Sequence, residues 1–127
     1  RQGVIVHAAM GPDDPRVEEA NTRLRRLGVE GQSAELLGRF LGEILRWGVG
    51  ATEITRVCVA GGDTSGFVAR TLGVQSLGFV APIAPGSPLC RIQSHDPDLD
   101  GTEICFKGGQ VGKQDFFELV RAGRKQV

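Results

Sequence analysis

One stretch constrains this chain more than any other: Val57-Cys58-Val59-Ala60-Gly61-Gly62-Asp63-Thr64-Ser65-Gly66. A β-branched run, which favours a strand, stops at two glycines. An acid and two hydroxyls follow, and then Phe67, Val68, Ala69 and Leu72 mark a helix. The pattern predicts a strand, a tight glycine turn and a helix start. Without Cβ atoms the turn lets backbone approach a ligand closely. The helix that follows offers N–H groups without intrahelical partners, at the positive end of its dipole. A phosphate suits that place. A second stretch of similar make-up lies nearer the C-terminus: Ile104-Cys105-Phe106-Lys107-Gly108-Gly109-Gln110-Val111-Gly112. It sets an ammonium group beside bare backbone donors, which suits an anion. From spacing alone, the phosphate reading of Gly61–Gly66 and an ordinary turn capped by Thr64 or Ser65 stand even. There is no Walker lysine pattern and no GxGxxG.

The remaining residues read as the frame for these two loops. Val4 to Ala9 is an apolar run broken only by His7, and predicts a strand buried on both faces. Asp14 and Pro15 then read as N-cap and first helical position. Val17, Ala20, Leu24 and Leu27 recur at helical spacing until Gly28 ends the helix. Ser33 is the next cap candidate. Leu36, Leu37, Phe40, Leu41, Ile44 and Leu45 give the second helix a broad apolar face, closing at Trp47-Gly48. Arg56 to Ala60 is the next strand, and the helix after Gly62 ends at Leu72-Gly73. Val74 to Val80 predicts a further strand, and Pro82 to Pro88 a rigid, turn-rich segment. Leu89–Gln93 and Thr102–Lys107 predict an antiparallel pair around the polar turn His95–Gly101. A last helix follows Gly112, with Phe116, Phe117, Leu119 and Val120 on its apolar side.

Strands alternating with helices predict an α/β fold of three layers: a mixed, mostly parallel sheet with helices on both faces. Residues 1–127 read as a single domain. Ligands in such sheets bind beyond the carboxyl ends of the strands. Gly11, Gly61 and Gly108 each directly follow a predicted strand, so three glycine loops are expected on one rim.

Composition removes other classes. With 15 basic and 15 acidic residues the chain offers nucleic acid no attraction. No apolar stretch reaches membrane-spanning length and no signal-peptide pattern appears, so a cytoplasmic protein without a membrane partner is expected. Cys58, Cys90 and Cys105 are widely spaced within apolar runs, and predict buried free thiols in a reducing compartment rather than a zinc site. Asp96, Asp98 and Asp100 lack the glycine and distal glutamate positions of an EF-hand. His7 reads as a core residue and His95 as an exposed one. No nucleophile–base–acid set emerges from spacing, so no catalytic residue is assigned.

Four motifs in order carry a resemblance. They are Gly11-Pro12-Asp13-Asp14-Pro15; Ala60-Gly61-Gly62-Asp63-Thr64-Ser65-Gly66; Ile83-Ala84-Pro85-Gly86-Ser87-Pro88; and Lys107-Gly108-Gly109-Gln110-Val111-Gly112 with Asp115-Phe116-Phe117. Over nearly its whole length the chain resembles the C-terminal nucleotide-binding domain of the four-carbon acid sugar kinases. This family was long carried as a domain of unknown function, some members labelled Hrp-dependent type III effector proteins. The resemblance implies a two-domain kinase, in which the N-terminal domain binds a 3-oxo-tetronate, threonate or erythronate and the C-terminal domain binds ATP. Gly61, Gly62, Asp63, Thr64 and Ser65 would line the ATP site. Lys107, Gly108, Gly109, Gln110 and Gly112 would form its second wall, and Asp63 would hold Mg²⁺ directly or through water. Pro82 departs from the acid that many relatives carry there. The sugar-binding domain and the serine-rich segment that opens the nucleotide domain are missing, and Arg1-Gln2 leads straight into apolar sequence without an initiator Met. The chain is therefore expected to be most of the C-terminal domain, inactive alone, binding ATP weakly or not at all, and pairing as a homodimer through an uncovered edge or apolar face. The alternative reading is a non-catalytic effector or protein-binding module.

Overall fold

The structure, a computed structural model, describes residues 3–11 and 13–123; Arg1, Gln2 and Pro12 of the first motif lie outside the described residues. Four helices and four strands follow one another as α1 (Pro15–Arg26), α2 (Ser33–Ala51), β1 (Arg56–Ala60), α3 (Gly62–Leu72), β2 (Ser76–Ala84), β3 (Ser87–Gln93), β4 (Glu103–Lys107) and α4 (Phe116–Ala122). The strands form one sheet in the order β1-β4-β3-β2. β1 pairs with β4 in parallel, while β4–β3 and β3–β2 are antiparallel. The sheet is mixed, as expected, with helices on both faces. Its balance differs, since only one of the three pairings is parallel. The difference arises because the chain returns after β2 through the hairpin at Pro85-Gly86 and the polar loop 94–102 instead of a helical crossover.

Alternation along the strands sorts side chains into two cores. Val57, Val59, Ile104 and Ile92 face α2 and α3, where Val68 and Leu72 meet them. Cys105 and Leu89 face the other way, beneath Phe116 and Val120 of α4. Each fully buried aliphatic or aromatic side chain contributes roughly 1.5–3 kcal/mol relative to exposure. On the α4 face a row of charge crosses three strands. Arg56 and Arg91 both pair with Glu103, at 2.8 and 3.6 Å. Arg56 also donates to the Arg121 carbonyl at 2.7 Å, setting a cation at the C-terminus of α4.

Helix α2 packs on α3 through its smallest residues. Gly38 and Gly42 are buried, and a Cβ on Gly42 would lie 2.7 Å from Thr71 Cβ. The axes approach closely because nothing stands between them. The apolar face expected to be core is only partly so: Leu41 and Leu45 pack against the core, whereas Phe40 is 61% exposed, and Trp47 beyond it 71%. The helix also runs past Gly48 to Ala51, and its N-cap is Gln32 rather than Ser33, without a side-chain cap bond. Helix α1 begins as predicted, with Asp14 accepting from the Arg16 N–H and Pro15 at the first position. The Arg16 guanidinium and two backbone N–H groups hold the Asp14 carboxyl well below the usual carboxylate range.

Two strand expectations also fail in this structure. Val4–Ala9 is not a strand. The segment is irregular and largely exposed, Val4 at 86%. An apolar run becomes a strand only where a sheet edge receives it, and this one is paired with none. The predicted strand Val74–Val80 is instead β2 from Ser76 to Ala84, passing through Pro82. An edge strand tolerates a residue without an N–H, and its register shifts on either side of Ala81 absorb the change. The three cysteines are free, with Cys105 buried and Cys58 and Cys90 half-buried. The hydrogen bond to Cys105, together with burial, pushes the Cys58 thiol up, and burial does the same to Cys90.

Candidate functional site

The parallel pairing of β1 with β4 builds the site. In this register Ala60 faces Lys107, so both strands end at the same rim. Gly61 then donates its N–H to the Lys107 carbonyl at 2.9 Å, fastening one glycine loop to the other. Gly61 has φ +126°, a conformation that side chains rarely adopt, and it turns the chain directly into α3. No side chain caps α3, so none takes its first-turn N–H groups. Ser65 donates its hydroxyl to the Gly61 carbonyl and stiffens the turn from below. Thr64 is half-buried behind the loop, and Asp63 stands exposed in the first turn. A Cβ built on Gly62 meets nothing within 4 Å, so the loop's outer surface is open backbone.

The second wall is a tight turn in which the Val111 N–H donates to the Gly108 carbonyl at 3.1 Å. Gly109 and Gln110 form its exposed tip, and a Cβ on Gly109 also projects into open space. Gly112 has φ +90° and lies against the Phe116 ring, so only glycine fits there. Lys107 is half-buried on the α4 side. Its Nζ donates to the Gly108 and Gly109 carbonyls at 3.2 and 3.4 Å and sits 5.6 Å from the Phe116 ring centre. A cation thus stands at the rim beside two stretches of bare backbone, an arrangement that suits an anionic ligand.

The structure therefore brings Gly61, Gly62, Asp63, Thr64 and Ser65 together with Lys107, Gly108, Gly109, Gln110 and Gly112. It does not bring Gly11 to them behind a strand, because Val4–Ala9 forms none. Gly11 instead accepts from the Asp14 N–H at 3.2 Å, in the turn that opens α1. One contributor was missed. β2 runs in the same direction as β1 and β4, so its hairpin turn at Pro85-Gly86 reaches the same rim. Gly86 at φ +74° after a proline signals a turn, but sequence does not say which end of the sheet the turn occupies. Among the described residues no group of three or more His, Cys, Asp or Glu side chains stands ready to hold a metal, and no helix is long and apolar enough to cross a membrane.

Comparison with known proteins identifies the chain's family. The model of the nucleotide-binding C-terminal domain matches residues 1–117. The chain belongs to that family. This nucleotide-binding domain is 47% identical over 122 residues to the 3-oxo-isoapionate kinase of Paraburkholderia graminis, a match covering 95% of the chain and 26% of that relative. It is 35% identical over 116 residues to the 3-oxo-tetronate kinase of Pseudomonas savastanoi pv. phaseolicola, covering 91% of the chain and 24% of the relative. Among solved structures it resembles a domain of unknown function from Bordetella bronchiseptica, crystallised with bound citrate as a domain-swapped dimer. The TM-score there is 0.60 at 26% identity, covering 71% of this chain and 23% of that one. The chain spans about a quarter of the length of the curated relatives it matches. The motif-based resemblance and the family model agree.

Proposed function

We propose that the rim of β1 and β4 binds the phosphates of ATP, and that this domain is the nucleotide-binding part of a kinase acting on an oxo-substituted sugar acid. The observation that carries the reading is the Gly61 N–H bond to the Lys107 carbonyl, which holds two glycine loops side by side at the ends of parallel strands. The family supplies the nucleotide, and the names of the relatives supply the phosphoryl acceptor. Open backbone at Gly62 and Gly109 leaves room for phosphate oxygens, so the residues fit the group. The first-turn N–H groups of α3 would receive the phosphates, and the Thr64 hydroxyl lies behind them. Lys107 would exchange its two loop carbonyls for a phosphate oxygen, a stronger charge-assisted partner. Asp63 is the carboxylate on the glycine rim that would hold Mg²⁺; an ion that keeps several waters needs only one or two carboxylates besides the phosphates.

ATP would supply the γ-phosphoryl group, and the chain's contribution is positioning and charge stabilisation at the rim. The acceptor's site would belong to the part of the relatives this chain does not span, and pairing as a homodimer belongs to the same proposal. Calorimetry with ADP and Mg²⁺ on the longer polypeptide, unaltered and with Gly62→Val, tests it. Affinity should fall at least about tenfold as a branched side chain fills the open approach, equivalent to about 1.4 kcal/mol. Equal affinity in the two proteins would remove the loop from the nucleotide site.

A further inference from the structure

We infer that Cys58 and Cys105 form a redox-sensitive dithiol, which a peroxide closes to a disulfide across β1 and β4 behind the glycine rim. The two residues are direct partners in the parallel pairing of these strands. Both side chains lie on the α4 face, in the core that holds Phe116 and Val120. Adjacent strands stand roughly 4.8 Å apart, inside the span of about 4.4–6.8 Å between Cα atoms that a disulfide bridges. The Cys58 thiol already donates to the Cys105 sulfur. The Cys105 thiol in turn donates to the Ser87 carbonyl at 3.6 Å. Cys90 is no competitor, since it stands opposite Ile104 and packs in the core under α2 and α3.

Access divides the roles. Cys58 is half-buried and Cys105 is sealed from solvent, so a peroxide meets Cys58 first. The Cys58 sulfur gives up its proton and attacks one peroxide oxygen; the O–O bond breaks, and the departing hydroxide takes that proton as water. The sulfenic acid so formed faces the Cys105 thiol one strand away. The Cys105 sulfur attacks the Cys58 sulfur, the S–O bond breaks, and the hydroxyl leaves with the Cys105 proton as a second water. The two thiols lose two electrons, and one peroxide is reduced to two waters. The hydrogen bond to Cys105 and burial push the Cys58 thiol up, so closure answers sustained rather than brief peroxide. Cys58 lies three residues before Gly61, and Cys105 three before Gly108. Closing the bridge draws the Cβ atoms from roughly the 4.8 Å strand spacing to about 3.8 Å. The Gly61 N–H bond to the Lys107 carbonyl, at 2.9 Å, lies directly beyond and must adjust. On the nucleotide reading of the rim, on which this consequence alone rests, the oxidised domain holds the phosphates of ATP less well.

The 127-residue chain, exposed while folded to about 1 mM hydrogen peroxide, should be alkylated, digested without reduction and weighed. The expected product is one linked pair of peptides carrying Cys58 and Cys105, lighter by about 2 Da than the two reduced peptides together and parted again by dithiothreitol. Cys90 should be recovered alkylated, and Cys90→Ala should leave the product unchanged. Cys58→Ala and Cys105→Ala should each abolish it, with circular dichroism to check folding. Cys58→Ala, at the less buried position, decides if Cys105→Ala does not fold. Thiols left untouched, Cys58 carried only to sulfinic or sulfonic acid, or a bridge to Cys90 or between chains would each overturn the proposal. Calorimetry with ADP and Mg²⁺ on the longer polypeptide should then show affinity at least about threefold weaker after oxidation, a loss absent in Cys58→Ala. Equal affinity with the bridge present overturns the coupling to the rim. If Gly62→Val also has no effect in that assay, the nucleotide reading of the rim fails instead, and the dithiol stands on its own chemistry.

Discussion

Gly62 and Gly112 look alike in sequence and act in opposite ways. Around Gly62 there is open space, and the residue already sits in the first turn of α3. Alanine there should leave stability unchanged or raise it by roughly 0.5–1 kcal/mol, as for glycine in a helix. ADP affinity of the longer polypeptide should nonetheless fall, because the added methyl occupies the approach to the backbone. Gly112 is held at φ +90°, and a Cβ there would lie 3.0 Å from Phe116 Cγ. Alanine at that position should cost about 2–4 kcal/mol, from left-handed strain plus overpacking. Denaturant melts of the two variants, with nucleotide titration, should separate the roles: one binding defect without instability, one instability. Both loops are legible from sequence because glycines at strand ends are local signals. Their adjacency is not, since it rests on β1 meeting β4 across a separation of 47 residues, as in the Arg56–Glu103 bond.

Among the elements, α2 shows where hydropathy misleads. Of its apolar residues Leu41 and Leu45 do pack against the core, but Phe40 and Trp47 stand exposed, and the closest approach to α3 is at two glycines that carry no apolar signal. Thr71 sits so close to Gly42 that a methyl group cannot enter without moving α3. Gly42→Ala should therefore destabilise the domain by about 1–3 kcal/mol, although alanine is the better helix former. Because α3 begins at the Gly61 loop, that displacement should also disturb the rim. Thermal melting checks the first effect and phosphate titration the second; a more stable Gly42→Ala variant would mean that helix propensity outweighs the close approach. Pro82 misleads in another way. It reads as a strand stop, yet an edge strand with shifted register carries β2 through it to Ala84. Helix α1 was readable in full, from the Asp14 cap and Pro15 to Gly28, because its signals are all local.

At the scale of the molecule, stability is concentrated around β4. That strand has a partner on each side, and Ile104 and Cys105 are fully buried on its opposite faces. Helix α1 is the other extreme. None of its residues is buried, and the stretch before it is paired with no strand. A segment without buried apolar surface opens at little free-energy cost, whereas the sheet opens only with global unfolding. Brief trypsin treatment should therefore cut first at Arg16, Arg23, Arg25 or Arg26, all exposed, while the chain from α2 onward survives as a folded product. Arg46 and Arg56 should resist, since Arg46 donates to Asp96 and to the Thr71 carbonyl and Arg56 is held by Glu103 and α4. Mass spectrometry of the products identifies the order of cuts, and the trimmed product should melt within a few degrees of the intact chain. If removal of α1 unfolds the remainder, the apolar stripe Val17–Ala20–Leu24 must be packed against the sheet unit in solution. If the first cut falls at Arg46 or Arg56, the C-terminal half of α2 and its connection to β1 are the weakest part of the fold rather than α1.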